Sequence, residues 1–327
     1  MGNVRSYTSS GVLEISKKRD VQALIDIFSN NPLNTKKCLN FDAWAKAFNL
    51  LQNYRITKDP NILEAIANLK ASMNNSRTNF NFSDYSVNIT PQWFMGFFEG
   101  EGSVFVSRKD YTLSISIGQA LIDEYAMLKF AEFLNQLPGA NLFKSEGAIK
   151  IYRAEGSVGH SRGKIELVIS QVNFIKLVLV PFFNSQSWYG KKYLDYQDFK
   201  TILSLKEKGH HYSKKGKDLI DLILSQMNNN RLSTSNQPIV DRDLLNIKVQ
   251  TLLNMSSNFD LRDGRVWIIS EDRFQSEGGK SKALELWDDQ GNLFNTFKSI
   301  AECGRYLSIS PTSVSKLIKK KSGLLYS

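Results

Sequence analysis

Hydrophobic and polar residues in the middle of the chain alternate with the period of a β-strand. In TLSISIG, Leu113, Ile115 and Ile117 alternate with small polar residues, which places the apolar side chains on one face. Val104 to Val106 precedes this run and predicts a hairpin with it, and AIKIYR and KIELVIS predict a second strand pair around the loop AEGSVGHSRG. We therefore predict an antiparallel sheet with one apolar face and one polar, basic face.

Helical patterns fill the intervals between these strands. Thr90 is suited to cap a helix, and Pro91 is suited to its first turn, so a helix is predicted from there to about Gly102. LIDEYAMLKFAEFLNQ has helical periodicity and ends at Pro138-Gly139, and further helices are predicted over 172–183, 195–207 and 217–230. The order of elements predicts an α+β unit with its helices on one face of an antiparallel sheet.

An internal repeat relates the two parts of the chain. Residues 13–77 align with residues 167–231 at an offset of 154 or 155, and MNN-R recurs near the end of both copies. The first copy has almost no counterpart of residues 81–166, because only about a dozen residues precede Leu13 and Met1 falls about where the third strand would begin. We therefore predict a truncated first repeat over 1–80 and a complete unit over 81–235.

The charge and cysteine content narrow the classes of function. The chain has 42 Lys and Arg against 32 Asp and Glu, a net charge of +10, which favours a polyanionic partner: nucleic acid or an anionic membrane surface. No run of 18 apolar residues indicates a membrane span. Cys38 and Cys303 alone exclude a disulfide framework and a Cys-based zinc site.

One segment, FMGFFEGEG, combines features that are unfavourable in an ordinary helix. Gly96 and Gly100 are four residues apart, so they lie nearly above one another and let another backbone approach closely. Glu101 falls in the last turn, where the helix dipole is unfavourable for a carboxylate. We expect a cation or a catalytic role to keep this acid there, with Gly102 as the C-cap.

The segments FMGFFEGEG, KKYLDYQDF and MNNNR together resemble the LAGLIDADG homing endonuclease and maturase family, and the resemblance covers most of residues 3–235. It implies an αββαββα unit with a saddle-shaped antiparallel sheet, and two motif helices packed side by side. Gly96 and Gly100 would then line the helix interface, and Glu101 would be the catalytic, metal-binding acid. A Mg²⁺ ion shared by two such acids would relieve their repulsion and activate water. Lys191 or Lys192 would be the basic residue that stabilises transition-state charge.

The chain departs from this family because it carries one motif helix where two are needed for double-strand cleavage. Another subunit or an upstream segment supplies the second helix, or the nuclease site is inactive. The first function expected is therefore an intron-encoded homing endonuclease that cleaves double-stranded DNA with Mg²⁺ when completed by a second motif helix. The alternative is a catalytically inactive binder of structured RNA, either a splicing maturase or a recruited component of a large mitochondrial ribonucleoprotein. By family habit the expected location is the mitochondrial matrix.

Basic and polar residues outside the motif are candidates for nucleic-acid contact. Those expected on the groove-facing surface of the sheet are Ser107, Arg108, Lys150, Tyr152, Arg153, Arg162 and Lys164. In the loop KEKGHHYSKKGK, Lys214 and Lys215 are suited to phosphate contact, although such a loop is also typical of a solvated connection.

The last part of the chain predicts a separate small module. Residues 236–280 are a linker or extension, and LELWDDQGNLFNTF predicts two strands around a tight turn. Ser299 with Glu302 forms a capping box, and Ser310-Pro311 starts a second helix, a helix-turn-helix spacing over residues 281–327. It resembles the DNA-binding repeats appended to homing nucleases, although a helical hairpin that only packs is the alternative. The residues expected at DNA are Thr312, Ser313, Ser315, Lys316 and Lys319.

Overall fold

The computed structural model describes the chain except residues 1, 9, 81–85, 157–162, 232–234, 236–239, 276–283, 288–290, 292, 298, 308, 310, 320–324 and 327. The chain divides into two compact units, Met1–Glu207 with Lys215–Asn254, and Lys208–Lys214 with Met255–Ser327. None of the described helices combines the length and the apolar character that crossing a membrane requires.

The first repeat begins with a hairpin and continues with helices. Its elements are β1 (Asn3–Ser6), β2 (Gly11–Glu14), α1 (Lys18–Asn30), α2 (Lys37–Thr57) and α3 (Pro60–Ala71). The hairpin forms a two-stranded antiparallel sheet of its own. The side chain of Asp59 caps α3 by accepting a hydrogen bond from the Asn61 amide at 2.9 Å. The first repeat thus holds only the second half of the predicted unit.

The complete unit follows the predicted order. Its elements are α4 (Pro91–Glu101), β3 (Gly102–Val106), β4 (Leu113–Ala120), α5 (Glu124–Asn135), β5 (Ile149–Ala154), β6 (Lys164–Ile169), α6 (Val172–Phe174), a π-helical turn (Ile175–Leu179), α7 (Val180–Asn184), α8 (Lys192–Glu207) and α9 (Lys214–Leu224). The strands form an antiparallel sheet in the order β3-β4-β6-β5. The predicted α+β fold is confirmed. A further helix, α10 (Arg242–Leu253), extends this unit.

The hydrophobic core lies between one face of this sheet and the helices. Leu113, Ile115 and Ile117 are all buried, as their alternation predicts. Phe94 and Phe98 of α4 are at most 1% exposed and pack against aromatic residues of α5 and α7. Burial of these large side chains fixes α4 on the sheet, because each contributes about 1.5–3 kcal/mol.

The internal repeat is present in three dimensions. Asn74 and Asn228 both have a left-handed backbone, with φ of 54° and 55°. The Asn74 amide donates to Oδ1 of Asn40 at 3.1 Å, and the Asn228 amide donates to Oδ1 of Asp195 at 2.9 Å. The same acceptor atoms also bind the following arginine, Arg77 in the first copy at 3.0 Å and Arg231 in the second at 2.8 Å. The two copies therefore share one anchoring arrangement, residue for residue.

The second unit contains elements that the sequence pattern did not predict. A three-stranded sheet is formed by β7 (Phe259–Arg262), β8 (Arg265–Ile268) and β9 (Arg273–Phe274), inside the segment expected to be a linker or extension. The predicted strand pair and helix pair follow as β10 (Leu284–Trp287), β11 (Leu293–Phe297), α11 (Ile300–Tyr306) and α12 (Pro311–Lys319), and β12 (Leu325–Tyr326) adds a third strand beside β10. The Ser299 hydroxyl accepts from the Glu302 amide at 3.1 Å, which is half of the predicted capping box. The boundaries proposed for the four domains remain predictions.

Candidate active site and nucleic-acid face

The motif helix α4 is held at both ends by residues that suit those positions. The Thr90 hydroxyl accepts a hydrogen bond from the Trp93 amide at 3.2 Å, and Pro91 occupies the first turn. Phe94, Met95 and Phe98 form the buried face of the helix. The helix ends at Glu101, as predicted, with its carboxylate at the exposed end.

The opposite face of α4 carries the two motif glycines and is open. A Cβ atom built on Gly96 or on Gly100 meets no heavy atom within 4 Å among the described residues, and both glycines are exposed. The first repeat therefore does not cover this face. The glycine pair leaves room for a second helix to approach, and its role as a helix interface stays a prediction.

Gly102 is required for a different reason from the one the sequence suggested. It is the C-cap of α4, but its φ of −74° and ψ of 160° are extended, so the left-handed cap usual for glycine is absent. A Cβ on Gly102 would lie 2.2 Å from the ring of buried Phe98. The missing side chain lets α4 pass directly into β3 against that ring.

Two alanine substitutions in this helix should have opposite effects on stability. Gly102→Ala should lower the free energy of unfolding by about 1–3 kcal/mol, because the methyl group overpacks the Phe98 ring. Gly100→Ala adds the same methyl group in open space and should raise stability by up to about 1 kcal/mol through helix propensity. Urea unfolding of both variants measures the difference, and equal effects would contradict the assigned environments.

The other motif acid, Glu99, positions a loop. Its carboxylate accepts hydrogen bonds from the amide of Tyr189 at 3.0 and 3.1 Å and from the amide of Gly190 at 2.6 Å. This loop leads into Lys191 and the start of α8. Glu99 therefore fastens the loop before α8 to the motif helix.

Lys192 is the basic side chain next to the end of the motif helix. Its ammonium group donates a hydrogen bond to the carbonyl of Gly102 and lies 5.8 Å from the centre of the Phe98 ring. Burial lowers the pKa of Lys192, and the carboxylates of Asp195, Glu101 and Glu99 oppose this shift. Lys191 is exposed. Of the two predicted lysines, Lys192 is thus the one that shares an electrostatic environment with Glu101.

A cavity of about 1000 Å³ opens beside the end of α4. Its walls come from the end of α4, from β3, from the start of α8 and from the segment Met227–Arg231. Asn228 closes one side by donating from its side chain to the carbonyl of Val104 at 3.1 Å. The cavity places the MNNNR segment next to Gly100 and Gly102 at the end of α4, a proximity that the sequence alone did not give.

The described residues supply an incomplete set of ligands for a divalent metal. The described residues contain no cluster of three His, Cys, Asp or Glu side chains that could hold an ion. Glu101 is the acid at the helix end, and the Glu99 carboxylate is already engaged by backbone amides. Because Mg²⁺ takes near-octahedral oxygen coordination, the described residues of this chain do not by themselves fit it.

The open face of the sheet carries several of the predicted nucleic-acid residues. Lys150, Tyr152 and Lys164 alternate with residues that face the core, and Tyr152 is 54% exposed. Phe105 lies on the same face as Ser103 and is 52% exposed. Sequence reasoning missed Phe105, although its alternation with buried Val104 and Val106 was the available signal.

Other predicted groove residues lie elsewhere. Arg153 pairs in register with core-facing Ile165, and its guanidinium contacts the Glu124 carboxylate of α5 at 2.5 Å, so strand parity places it on the helix side. Arg108 lies 3.9 Å from Asp221 of α9 and lines the cavity. Ser107 follows the end of β3 and accepts a hydrogen bond from the Lys109 amide within the turn. Arg162 lies outside the described residues.

The remaining candidates lie on helices. Lys214 and Lys215 are exposed residues in the first turn of α9, whose buried face packs into the helix layer, so they are not on the open face of the sheet. In the second unit α12 carries the predicted residues of the tail, of which Ser313 is exposed and Ser315 is half-buried. The side chains of Thr312, Lys316 and Lys319 lie outside the described part of the chain. DNA contact by α12 stays a prediction.

Comparison with known proteins agrees with this arrangement. Residues 94–203 match the model of the family described as LAGLIDADG endonuclease. The uncharacterized mitochondrial protein RF1 of Saccharomyces cerevisiae is 24% identical, over 97% of this chain and 68% of its own length. The probable intron-encoded endonuclease 3 of Neurospora crassa is 28% identical over 65% of this chain, and the match spans 40% of that protein.

Solved structures with the same fold cover about 70% of this chain. The LAGLIDADG homing endonuclease I-GzeII, in complex with its DNA target, has a TM-score of 0.58 and 22% identity over 70% of this chain and 80% of its own. The endonuclease I-LtrWI, bound to target DNA, has a TM-score of 0.55 and 22% identity, over 71% of this chain and 80% of its own. These likenesses confirm the predicted fold.

Proposed function

We propose that this chain, whose residues 94–203 match the LAGLIDADG endonuclease model, belongs to that family, binds double-stranded DNA and supplies one of two acids for phosphodiester hydrolysis. The proposal rests on two properties of α4. Glu101 is exposed at its end, and the face that carries Gly96 and Gly100 is open. Both features suit a helix that acts in a pair. The second acid would come from another motif helix.

The chemistry of the completed site follows from the residues around Glu101. Glu101 and its counterpart on the second helix would together hold the Mg²⁺ ion, which would supply activation of water and neutralisation of charge on the scissile phosphate. Lys192 would lie close enough to stabilise negative charge that develops there, because the carboxylate of Glu101 already influences its pKa. Glu99 would hold the loop that presents Lys191 and Lys192.

DNA would lie on the open face of the β3-β4-β6-β5 sheet. Lys150 and Lys164 would contact phosphates and give affinity without sequence information. Tyr152 and Phe105 are exposed on this face and would contact base edges, where apolar side chains can read a thymine methyl group. The net charge of +10 supports a polyanionic partner. The names of the relatives support a mitochondrial location, and we propose the matrix.

Replacing Lys150 and Lys164 together by alanine should weaken binding to duplexes of any sequence. Each lost phosphate contact should reduce the magnitude of the slope of log K against log of the KCl concentration by about 0.9. In the double variant the magnitude of this slope should therefore fall by about 1.8. Fluorescence anisotropy at several KCl concentrations measures the slope. The matched control is Lys129→Ala with Lys176→Ala, which removes two lysines from helical positions facing away from the open sheet face. Equal slopes for the two double variants would contradict DNA binding on the open face.

One observation favours a second function. The described chain carries a single motif helix, so binding without cleavage would suit an RNA partner in splicing or in a mitochondrial ribonucleoprotein. Structured RNA has a shallow minor groove with 2′-hydroxyl groups, and a basic sheet recognises it by shape. Competition of structured RNA against the bound duplex separates the two functions. Displacement of DNA by RNA at equal or lower concentration would favour the RNA-binding function.

A further inference from the structure

A second cavity lies on the helix layer of the complete unit and has a volume of about 410 Å³. Its walls come from the end of α7, from the turn that follows and from the first turns of α8. None of its described lining residues belongs to a strand, and none lines the cavity beside α4. Cavities of about 300–1000 Å³ are typical of small-molecule sites. This helix-layer cavity is therefore large enough for a ligand and is separate from the surfaces described above.

Aromatic rings in a fixed arrangement line the helix-layer cavity. The indole of Trp188 stacks on the buried ring of Tyr196, with 5.0 Å between the ring centroids and 13° between the planes. The indole N–H donates a hydrogen bond to the Phe183 carbonyl at 3.0 Å, which holds the ring in place. Tyr193 also lines the cavity and is 42% exposed, with its ring centroid 6.0 Å from that of Trp188. Tyr193 thus offers an exposed flat ring on which a second aromatic ring can stack.

Amide side chains supply the polar lining of the cavity. Asn184, Gln186 and Gln197 all belong to it. Oδ1 of Asn184 accepts hydrogen bonds from the Tyr196 hydroxyl at 2.9 Å and from the Lys200 ammonium group at 3.0 Å, so the amino group of this amide is left to donate. The side chain of Gln197 forms no hydrogen bond with the described residues. An amide both donates and accepts, which is the pattern that the edge of a nucleobase requires.

Lys200 brings a cation to the same cavity. Its ammonium group lies 4.8 Å from the centre of the Tyr196 ring and pairs with no carboxylate among the described residues. Burial lowers the pKa of Lys200, because partial removal from water disfavours the charged form. An anion beside the ammonium group would offset this cost. An exposed ring, amide edges and a lysine ammonium group together fit a nucleotide, which has a flat base and a phosphate.

The first repeat shows that the fold does not require these side chains. α2 and α8 are equivalent helices at the repeat offset of 155. At this offset Tyr193 corresponds to Cys38, and Lys200 corresponds to Ala45. The two copies thus share the helix but not the exposed ring or the cation. Packing of the shared fold therefore does not account for Tyr193 and Lys200.

We propose that the helix-layer cavity binds a nucleotide, with the base stacked on Tyr193 and the phosphate at Lys200. Both residues belong to α8, and they are about 10 Å apart along the helix axis, which is comparable with the length of a nucleotide. A free mononucleotide and an unpaired nucleotide of a nucleic-acid strand share this chemistry. The inference goes beyond the proposed function, because it requires neither DNA on the open sheet face nor cleavage.

Binding of adenosine monophosphate and of a single-stranded oligoadenylate tests the inference. Calorimetry and fluorescence anisotropy measure the two affinities on the full chain carrying Lys150→Ala and Lys164→Ala, so that the open sheet face contributes little. Tyr193→Ala should weaken binding at least about fivefold, because the base loses its stacking partner. Tyr193→Phe should restore the affinity, because it keeps the ring. Lys200→Gln should reduce the magnitude of the slope of log K against log of the KCl concentration by about 0.7 for the strand.

The matched control is Tyr125→Ala on α5. Tyr125 is 51% exposed and has the Lys129 ammonium group 5.7 Å from its ring centre, but it is not a lining residue of the helix-layer cavity. Its substitution should leave both affinities unchanged. An equal loss of affinity in Tyr125→Ala and Tyr193→Ala would overturn the inference.

The two probes also distinguish the sources of the nucleotide. Binding of adenosine monophosphate as well as the strand supports a site for a free nucleotide, and binding of the strand alone supports a site for an unpaired nucleotide. Failure of both probes to bind overturns the inference. Equal affinities with and without Tyr193→Ala, or equally tight binding of an abasic strand, overturn it as well. Because duplex binding and cleavage are not among these readouts, failure of the proposed function is seen separately.

Discussion

Glu101→Gln should abolish Mg²⁺-dependent cleavage of DNA by a tandem chain, in which a second copy of residues 86–148 is fused before Gly2, and should leave its affinity for DNA unchanged. Glutamine keeps the size and the hydrogen-bonding oxygen of the side chain but removes the charge that would bind the metal. Metal ions contribute several kcal/mol of transition-state stabilisation, so we expect a loss of about a thousandfold in the cleavage rate. Single-turnover cleavage of a duplex selected by binding from a random library measures the rate.

The control for this experiment is another exposed glutamate in the same unit. Glu132→Gln changes the same charge on α5, where the carboxylate pairs with Lys129 at 2.7 Å, and should leave the cleavage rate unchanged. Glu101→Asp, which retains the charge on a shorter side chain, should retain part of the activity. Equal cleavage by the wild type and by Glu101→Gln would remove Glu101 from the catalytic residues.

The largest effect on stability is expected from Asp198→Ala. The carboxylate of Asp198 is 5% exposed and accepts hydrogen bonds from Arg231 at 2.5 Å and from Arg242 at 2.6 and 3.2 Å. Removing it leaves the partly buried Arg231 guanidinium without one of its two acids and releases the start of α10 from α8. Breaking a buried pair of this kind costs about 3–5 kcal/mol, which a denaturant titration of the unfolding free energy measures.

The matched control is an ion pair at the surface. Glu132→Ala removes the partner of Lys129 at 2.7 Å, where both side chains are exposed to solvent, and should cost less than about 1 kcal/mol. Because both variants remove one carboxylate, the difference between their unfolding free energies measures the effect of burial. If the Asp198→Ala variant unfolded at the same denaturant concentration as the wild type, the ion pairs of Asp198 with Arg231 and Arg242 would not be what holds α10.

The parts of the fold that the sequence predicted are those with strong local patterns. Leu113, Ile115 and Ile117 alternate without interruption, so the strand and its buried face followed directly. Thr90 and Pro91 defined the start of α4 because capping is a local interaction. The truncated first repeat followed from sequence identity between the copies, since each shared anchor, such as Asn74 and Asn228, performs the same backbone task.

The parts that could not be predicted depend on contacts between distant residues. The placement of Arg153 on the helix side required the register of β5 against β6, and a shift of one residue reverses the face. The role of Gly102 required the position of the Phe98 ring. The cluster of Asp198, Arg231 and Arg242 joins segments 33 and 44 residues apart in sequence. The strands β7 and β9, of four and two residues, are too short for alternation to identify them.

The candidate site divides in the same way. The sequence indicated that Gly96 and Gly100 leave space and that Glu101 ends the helix, because both follow from helix geometry. It did not indicate which lysine lies near Glu101, since Lys192 is selected by its contact with the Gly102 carbonyl. Nor did it indicate that the glycine face is left open by the first repeat.

The most direct test of the central claim compares Mg²⁺-dependent cleavage by the chain alone and by the tandem chain on the same selected duplex. Both chains should bind the duplex, the chain alone should not cut both strands, and cleavage by the tandem chain should require Glu101. Double-strand cleavage by the monomeric chain alone would contradict the claim that α4 supplies half of a two-helix site.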